Sequence, residues 1–308
     1  MKLDFDVAII GAGVAGMTSA IYLKRAGISC CLIEKDMYGG QINKASKVAN
    51  YPGYVEISGI DLSMNIFKQI ENLKIKYINK EVIDIDLTRD VKTIKLRDGN
   101  TVTSKLIIIA TGRSPRKIGI DNITSFEGRG ISYCATCDGN FFKNEDVAVI
   151  GGGSTALEEA LYLSKICKKV NIIVRSDKLR AERYYIEEAE KCSNINVIYN
   201  REVQSINDSE GVLNSITLKD KHNNIAEKMS VKGCFVCIGY IPNSDLFNNL
   251  EKEDNYILVN ENQETNVDGV YAIGDVTKKS VNQLLTAMND GVIAANSCIK
   301  KIDDSKKI

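Results

Sequence analysis

The chain has 308 residues, enough for two domains of ordinary size, and its 40 basic and 40 acidic residues give a formal charge of zero. This balance argues against a nucleic-acid-binding protein, which would carry a basic excess. No apolar run is long enough to span a membrane and no signal-peptide pattern is present, so we expect a soluble protein without a membrane partner. Nine cysteines without the spacing of a secreted scaffold favour a reducing compartment, and hence the cytoplasm.

A glycine-rich loop follows the first predicted strand. The apolar strand Asp6–Ile10 precedes Gly11-Ala-Gly13-Val-Ala-Gly16, a helix is predicted from Met17 to Ala26, and a second strand ends at Glu34, 23 positions after the first glycine. This is the context of a dinucleotide-binding loop. Its glycines allow the backbone to approach a pyrophosphate, the helix N-terminus stabilises the phosphate charge, and Glu34 can accept hydrogen bonds from a ribose hydroxyl.

Loops, a helix and strands are predicted next. Gly39-Gly40-Gln41-Ile42 and Asn50-Tyr-Pro-Gly-Tyr54 are rich in turn residues and are expected to line a cofactor. A helix is predicted from Asp61 to Leu73. The β-structure from Ile75 to Ile107 then runs into a glycine turn at Gly112.

Two closely spaced cysteines follow a segment, Arg113-Ser-Pro-Arg116, that is predicted to be a linker. The motif is Cys134-Ala-Thr-Cys-Asp138. A disulfide across so short a loop adds little stability, whereas two thiols at this spacing form a reversible redox couple. Half of a zinc site is the alternative, but the other candidate ligands, Cys234 and Cys237, lie on a predicted strand where residues three apart point to opposite faces. The motif therefore favours redox chemistry.

Asp138 is the local candidate for a general acid and base. The only histidine, His222, lies on a predicted polar hairpin tip, away from both glycine loops. A carboxylate directly after the second cysteine could move the proton that disulfide exchange requires. It could also cap a helix, and both roles are compatible.

A second glycine loop repeats the first at a constant offset of 140 residues. Val147-Ala-Val-Ile-Gly-Gly-Gly-Ser-Thr-Ala156 matches the segment from Val7 to Gly16, and the likeness continues into the second strand. The repeat spans a whole domain, which indicates a duplicated nucleotide-binding unit. Val174 replaces the ribose-binding acid in this copy, and Arg175, Ser176 and Arg180 follow it. This change favours the 2′-phosphate of NADP over NAD, the alternative being an ordinary solvated basic loop.

The predicted fold class is α/β, with two Rossmann-like domains built on parallel sheets and the second inserted into the first. The predicted boundaries are 1–114 and 244–308 for the first domain and 115–243 for the second. Strands are expected from Asn196 to Ile225, a further strand ends at Gly274-Asp275, and a final helix is predicted from Gln283 to Ile299.

Taken together, these motifs closely resemble those of the low-molecular-weight, bacterial-type thioredoxin reductases, which are FAD-containing pyridine nucleotide-disulfide oxidoreductases. The resemblance covers nearly the whole chain. It rests on both glycine loops, Gly39-Gly40-Gln41, Ala110-Thr-Gly112, Cys134-Ala-Thr-Cys-Asp138, Gly274-Asp275 and Asn282-Gln283.

The resemblance implies FAD in the first domain, NADPH and the dithiol in the second, a thioredoxin partner and a homodimer whose domains rotate about hinges such as Pro115 and Pro242. It places Glu34 on the adenosine ribose, Asp275 on the ribityl chain, and Gln41 and Gln283 near the flavin. It assigns Cys137 to the flavin side and Cys134 to attack on thioredoxin. The expected FAD-binding residues are Gly11, Gly13, Ala15, Gly16, Glu34, Gly40, Gln41, Asn50, Thr111, Gly112, Gly274, Asp275, Asn282 and Gln283. The expected NADPH-binding residues are Gly151, Gly153, Ser154, Thr155, Arg175, Ser176 and Arg180, and the expected catalytic residues are Cys134, Cys137 and Asp138.

Two departures from the family pattern leave alternatives open. Half of the basic signature His-Arg-Arg-x-x-x-Arg is missing here, and Asn282 stands where a basic residue is usual. Relatives that accept electrons from ferredoxin also have a degraded nucleotide site. A flavin-dependent disulfide oxidase and a redox sensor without turnover are further alternatives on the same scaffold.

Overall fold

The computed structural model of the chain describes residues 3–45, 48, 50–116, 118–121 and 123–306, and only the backbone of residues 44, 124 and 137. The chain forms two compact units. Unit 1 comprises Met1–Ser114 and Ile241–Ile308, and unit 2 comprises Pro115–Tyr240. Unit 2 is thus continuous in sequence and interrupts unit 1.

The chain up to the first crossing between the units alternates strands and helices. Its elements are β1 (Phe5–Ile10), α1 (Val14–Arg25), β2 (Cys30–Glu34), a 3-10 helix (Gly40–Lys44), α2 (Gly59–Asn72), β3 (Lys76–Asn79), β4 (Val82–Asp86), β5 (Lys92–Leu96), β6 (Thr101–Ile109) and β7 (Arg113–Pro115).

Unit 2 follows with the same kind of alternation. Its elements are a 3-10 helix (Ile123–Phe126), β8 (Ile131–Ser132), α3 (Ala135–Asp138), a 3-10 helix (Gly139–Phe142), β9 (Asp146–Ile150), α4 (Ser154–Ser164), β10 (Lys169–Ile173), α5 (Arg183–Glu190), β11 (Ile195–Ile198), β12 (Arg201–Ser209), β13 (Val212–Asp220), β14 (Ala226–Ser230), β15 (Gly233–Val236) and β16 (Tyr240–Pro242). The chain then completes unit 1 with β17 (Lys252–Glu253), β18 (Tyr256–Ile257), β19 (Val270–Ala272), a 3-10 helix (Gly274–Val276) and α6 (Leu284–Ser305).

Each unit is organised around a parallel sheet. In unit 1 the strand order is β3-β2-β1-β6-β5-β4, with β19 also paired to β6; β3, β2, β1, β6 and β19 are parallel, and β5 and β4 are antiparallel. In unit 2 the order is β11-β10-β9-β15-β8, and every pairing is parallel. The antiparallel sheet β12-β13-β14 is formed by the part of the chain between β11 and β15. This architecture confirms the predicted α/β class.

Alternate residues of β1 pack on opposite faces of the unit 1 sheet. Val7 and Ile9 belong to one apolar cluster, whereas Ala8 and Ile10 belong to another. All four are buried because helices and loops cover both faces, as a parallel sheet requires. The sheet therefore holds the glycine loop after β1 on a rigid base.

The structure corrects two boundaries that the sequence suggested. The expected linker Arg113-Ser-Pro-Arg116 contains strand β7, which pairs with β16 where the chain crosses between the units. The last helix extends to Ser305 rather than ending near Ile299, because Ile302 is buried in the apolar core despite its charged neighbours.

Tight contact between α1 and α6 generates a prediction about stability. A Cβ atom built at Gly291 would lie 2.5 Å from the carbonyl oxygen of Ala15. Although alanine favours helices, we expect Gly291→Ala to destabilise the protein by about 1–3 kcal/mol through overpacking. Urea unfolding measures the change. The exposed helical change Asn289→Ala is the control, and a stability of Gly291→Ala at or above that of the wild type would contradict the packing.

Candidate active site

The loop between β1 and α1 combines two crowded glycines with an open one. Gly11 has φ +107°, and a Cβ there would lie 2.3 Å from the Ala110 carbonyl oxygen; a Cβ at Gly16 would lie 2.0 Å from the Gly11 oxygen. Gly13, the N-cap of α1, has no atom within 4 Å of its built Cβ. Open space at a helix N-terminus without an acidic first turn fits a pyrophosphate.

Glu34 reaches this loop from the end of β2. One carboxylate oxygen accepts the Ala12 N–H at 2.9 Å, and the other accepts the Asp36 N–H at 3.0 Å. Because β2 is parallel to β1, the acid at its carboxyl end is brought beside the glycine loop. The position suits an acceptor for ribose hydroxyls.

The later predicted FAD-binding residues form a polar network within unit 1. The Gln41 amide donates to the Arg113 carbonyl at 3.1 Å, and the Arg113 guanidinium lies 3.1 Å from the Asp275 carboxylate. The Asn50 amide donates to Gln283 at 3.2 Å.

Further hydrogen bonds fix the turns that carry these residues. Thr111 donates its hydroxyl to the Asn243 carbonyl at 2.7 Å, and the Gly274 N–H donates to the buried Asp290 carboxylate at 2.9 Å. Among the described residues, the buried Oδ1 atom of Asn282 has no hydrogen-bond partner, which leaves an acceptor for a cofactor. The group as a whole fits a flavin dinucleotide.

The cysteine motif forms a short helical turn in unit 2. Cys134 is half-buried and disulfide-bonded, and the Thr136 hydroxyl lies 3.3 Å from its sulfur. Since a disulfide sulfur has no proton to give, the hydroxyl is the donor. Cys137 lies in α3, but its side chain is outside the described part of the structure.

Ser132 organises both ends of this turn. Its hydroxyl accepts the Cys134 N–H at 3.1 Å and lies 2.6 Å from the Asp138 carboxylate. The Asp138 N–H also donates to the Cys134 carbonyl at 3.2 Å. Ser132 and the Cys134 backbone thus fix Asp138 at the C-terminal end of the cysteine turn. Ser132 was not predicted from the sequence, although its position two residues before Cys134 is a usable signal.

Glu159 is a second residue that was not predicted from the sequence. It is partly buried on α4, and its carboxylate accepts the N–H of Ala135 in the cysteine turn. Burial, with a smaller contribution from the negative charge of Glu158, raises the pKa of Glu159 to about 7, although the Ala135 N–H acts in the opposite direction. A usable signal was its spacing on α4, three residues after Ala156 and four before Leu163, both of which are buried.

The second glycine loop repeats the construction of the first. Gly151 has φ +143°, and a Cβ there would lie 2.2 Å from the Cys237 carbonyl oxygen, whereas the space beside Gly153 is open within 4 Å. Gly153 is the N-cap of α4. The loop therefore also fits a pyrophosphate.

The basic residues after β10 lie beside this loop. The Arg180 N–H donates to the Gly152 carbonyl at 2.6 Å, and the Glu182 N–H donates to the Ser154 hydroxyl at 3.0 Å. Arg175, Arg180 and Thr155 are exposed, and Ser176 is half-buried. The backbone of Arg180 is thus joined to the loop, and the exposed Arg175 follows the end of β10.

Cys234 and Cys237 pack on opposite faces of the unit 2 sheet. Cys234 belongs to the apolar cluster that contains Ile131, whereas Cys237 packs against the cluster that contains Ala135. The sequence prediction that the two side chains point to opposite faces is therefore confirmed. His222 is exposed on the turn after β13.

Comparison with known proteins identifies the family. Residues 5–291 match the family described as pyridine nucleotide-disulphide oxidoreductase. The chain belongs to this family. Over 95% of its length it is 38% identical to the thioredoxin reductase of Bacillus subtilis strain 168, covering 93% of that protein.

Solved structures agree with this assignment. The chain is similar to Lactococcus lactis thioredoxin reductase in the FR conformation, with 36% identity, a TM-score of 0.86 and coverage of 98% and 100% of the two chains. It is less similar to a ferredoxin-flavin thioredoxin reductase from Clostridium acetobutylicum, with 28% identity, a TM-score of 0.54 and coverage of 97% and 98%. The protein is an oxidoreductase, and its family implies a flavin and a pyridine nucleotide.

Across the described residues, we find no helix with the length and apolar character needed to cross a membrane.

The raised pKa of Glu159 predicts how stability depends on pH. In the unfolded chain this carboxyl titrates near 4.5, so its contribution to folding is fully present below that pH and is lost as the pH rises through about 7. Compared with Glu159→Gln, the wild type should therefore lose unfolding free energy between pH 5 and pH 8. Urea unfolding of both proteins measures it, and a difference that stays constant across this range would contradict the burial.

Proposed function

We propose that this oxidoreductase is a thioredoxin reductase that transfers electrons from NADPH through FAD to a Cys134–Cys137 disulfide and then to a disulfide of thioredoxin. The observation that carries the proposal is the disulfide-bonded Cys134, placed in the same unit as the second glycine loop. The similarity to thioredoxin reductases over nearly the whole chain supports it.

The two cysteines have different roles in this proposal. Cys134 attacks the disulfide of thioredoxin as a thiolate and forms a mixed disulfide, and Cys137 resolves that bond and releases reduced thioredoxin. Asp138, held by Ser132, delivers and accepts the proton at the cysteine sulfurs.

FAD, when bound, supplies the two-electron relay between the nicotinamide and the cysteines. Gly13 gives its pyrophosphate room at the N-terminus of α1, and Glu34 binds its ribose. Asp275, Gln41 and Gln283 bind the part that carries the flavin. Asn282 offers its buried Oδ1 atom as a further acceptor, and Gly11, Gly16 and Thr111 shape the turns around the cofactor.

NADPH is the proposed electron donor. The open space at Gly153 lies at the N-terminus of α4, and Arg180 is tied to the same loop by its backbone. Val174 offers no carboxylate to the ribose of NADH, so Arg175 and Arg180 favour the 2′-phosphate.

A ferredoxin-dependent reductase is the second candidate, because Ser176 stands where the family has an arginine. The lower similarity to the ferredoxin-flavin enzyme and the intact second glycine loop favour NADPH.

We further propose a homodimer in the cytoplasm. Seven cysteines of the described chain carry free thiols, which suits a reducing compartment.

Single cysteine variants test the proposed dithiol. Cys134→Ser should leave reduction of the flavin intact but abolish thioredoxin reduction. Cys137→Ser should also abolish it, while Cys134 traps thioredoxin as a mixed disulfide that non-reducing electrophoresis detects. The control is Cys192→Ser, a free and half-buried cysteine of the same unit. Near-normal turnover of either active-site variant would show that the redox centre lies elsewhere, and peroxide formation without thioredoxin reduction would indicate an oxidase.

Replacement of Arg180 tests the electron donor. Arg180→Ala should raise the KM for NADPH about tenfold and leave that for NADH unchanged, since a charged hydrogen bond to phosphate is worth about 1.5–3 kcal/mol. Steady-state kinetics with both nucleotides measure the change. Arg183→Ala is the matched control, because this exposed arginine pairs with Glu187. If reduced ferredoxin bleaches the flavin while both nucleotides leave it oxidised, the donor is ferredoxin.

A further inference from the structure

The Glu159 carboxylate connects α4 directly to the cysteine turn. It accepts the N–H of Ala135, the residue that follows Cys134. The Ala135 side chain is fully buried in the apolar core of unit 2, which also contains Leu163 of α4. A Cβ built at Gly139 would lie 3.0 Å from Leu163, so the turn is packed closely against α4 both before and after Cys137.

The hydrogen bond alone does not explain a glutamate at this position. A glutamine side chain has the same length and its carbonyl oxygen would accept the same N–H without a charge. Because the surroundings disfavour the ionised form, the carboxylate lowers stability at neutral pH. Ionisable groups kept at such a cost are concentrated at functional sites.

Reduction places a new charge beside this carboxylate. A disulfide that takes up two electrons and one proton becomes one thiol and one thiolate, and at Cys134 the thiolate is next in sequence to the residue that Glu159 holds. Two negative charges in a partly desolvated site disfavour each other, so the closeness of Glu159 to the amide after Cys134 predicts that the carboxyl and the thiol titrate as a coupled pair.

We propose that Glu159 is a positioning residue of the redox dithiol, which fixes the amide after Cys134 and shares a single negative charge with the sulfur of reduced Cys134. The inference rests on the proposed thioredoxin reductase function, because it assigns Cys134 to the reduced, attacking thiol. A proton moves between the thiol and the carboxylate by way of solvent. The negative charge of Glu159 therefore favours the protonated form of the Cys134 thiol. The charge moves to the sulfur when Cys134 attacks the disulfide of thioredoxin as a thiolate.

The other titratable groups around Glu159 do not replace it in this role. Glu158, on the same helix, is exposed and its charge is screened by water. Burial, followed by the charges of Glu159 and Cys234, raises the pKa of Cys237 well above its usual range, so this thiol stays protonated. Asp138 lies at the far end of the turn and bonds to Ser132.

Alkylation of Cys134 tests the proposal without electron donor or turnover. The FAD-loaded protein carrying Cys137→Ser is reduced, and the rate of Cys134 alkylation by iodoacetamide is followed by peptide mass spectrometry from pH 5.5 to 9.5. Adding Glu159→Gln should shift the midpoint of the rate–pH profile to lower pH by roughly one unit, since the substitution removes a negative charge that disfavours the Cys134 thiolate. Glu158→Gln is the matched control and should shift it much less.

The outcomes separate the inference from the function on which it rests. If the Glu159→Gln and parent profiles coincide, or if Glu158→Gln shifts the midpoint as far, the charge sharing is refuted even when the parent enzyme reduces thioredoxin. If the profiles separate as expected but the enzyme with both cysteines does not reduce thioredoxin, the proposed function fails and the charge sharing stands. Glu159→Ala, which loses the hydrogen bond as well, should lower the turnover rate with thioredoxin, and Glu159→Gln should restore it; equal turnover of all three would refute the positioning role.

Discussion

The close approach of backbone to backbone at the two glycine loops is the constraint on which the structure depends. At Gly11 and Gly151 a side chain would collide with the carbonyl oxygens of Ala110 and Cys237, which follow the neighbouring parallel strands. Each contact brings a helix N-terminus to the carboxyl edge of its sheet, where a ligand can reach it. In the proposed function, the position of the first loop determines where Glu34 meets a ribose, and the position of the second determines where Arg180 meets a phosphate.

The cysteine turn depends on the second of these loops. Helix α4 begins at that loop and carries Glu159, which holds the turn from one side, while Ser132 at the end of β8 holds it from the other. The nucleotide loop and the dithiol are therefore parts of a single packed unit. A redox centre that must present a reactive cysteine at a defined place gains the rigidity of a core residue, Ala135, next to that cysteine.

Features defined by residues close in sequence could be predicted from the sequence. The glycine loops, the cysteine motif and the opposite faces of Cys234 and Cys237 follow from spacing alone, because helix and strand periods fix them. Contacts between distant residues could not be predicted in this way. Ala135 and Glu159 are 24 positions apart and meet only because α3 packs on α4, and β7 forms only because β16 pairs with it much later in the chain. The last helix was predicted too short because charged residues mask the buried Ile302.

The most direct test of the account is nucleotide binding by two valine variants, one for each loop. Gly13 and Gly153 have extended backbone conformations that valine adopts, and both face open space, so the fold should tolerate Gly13→Val and Gly153→Val. We predict that Gly13→Val folds but fails to retain FAD, whereas Gly153→Val remains yellow and its flavin is no longer reduced by NADPH under anaerobic conditions. Retention of FAD by a folded Gly13→Val protein, or normal reduction of Gly153→Val by NADPH, would contradict the assignment of one nucleotide to each loop.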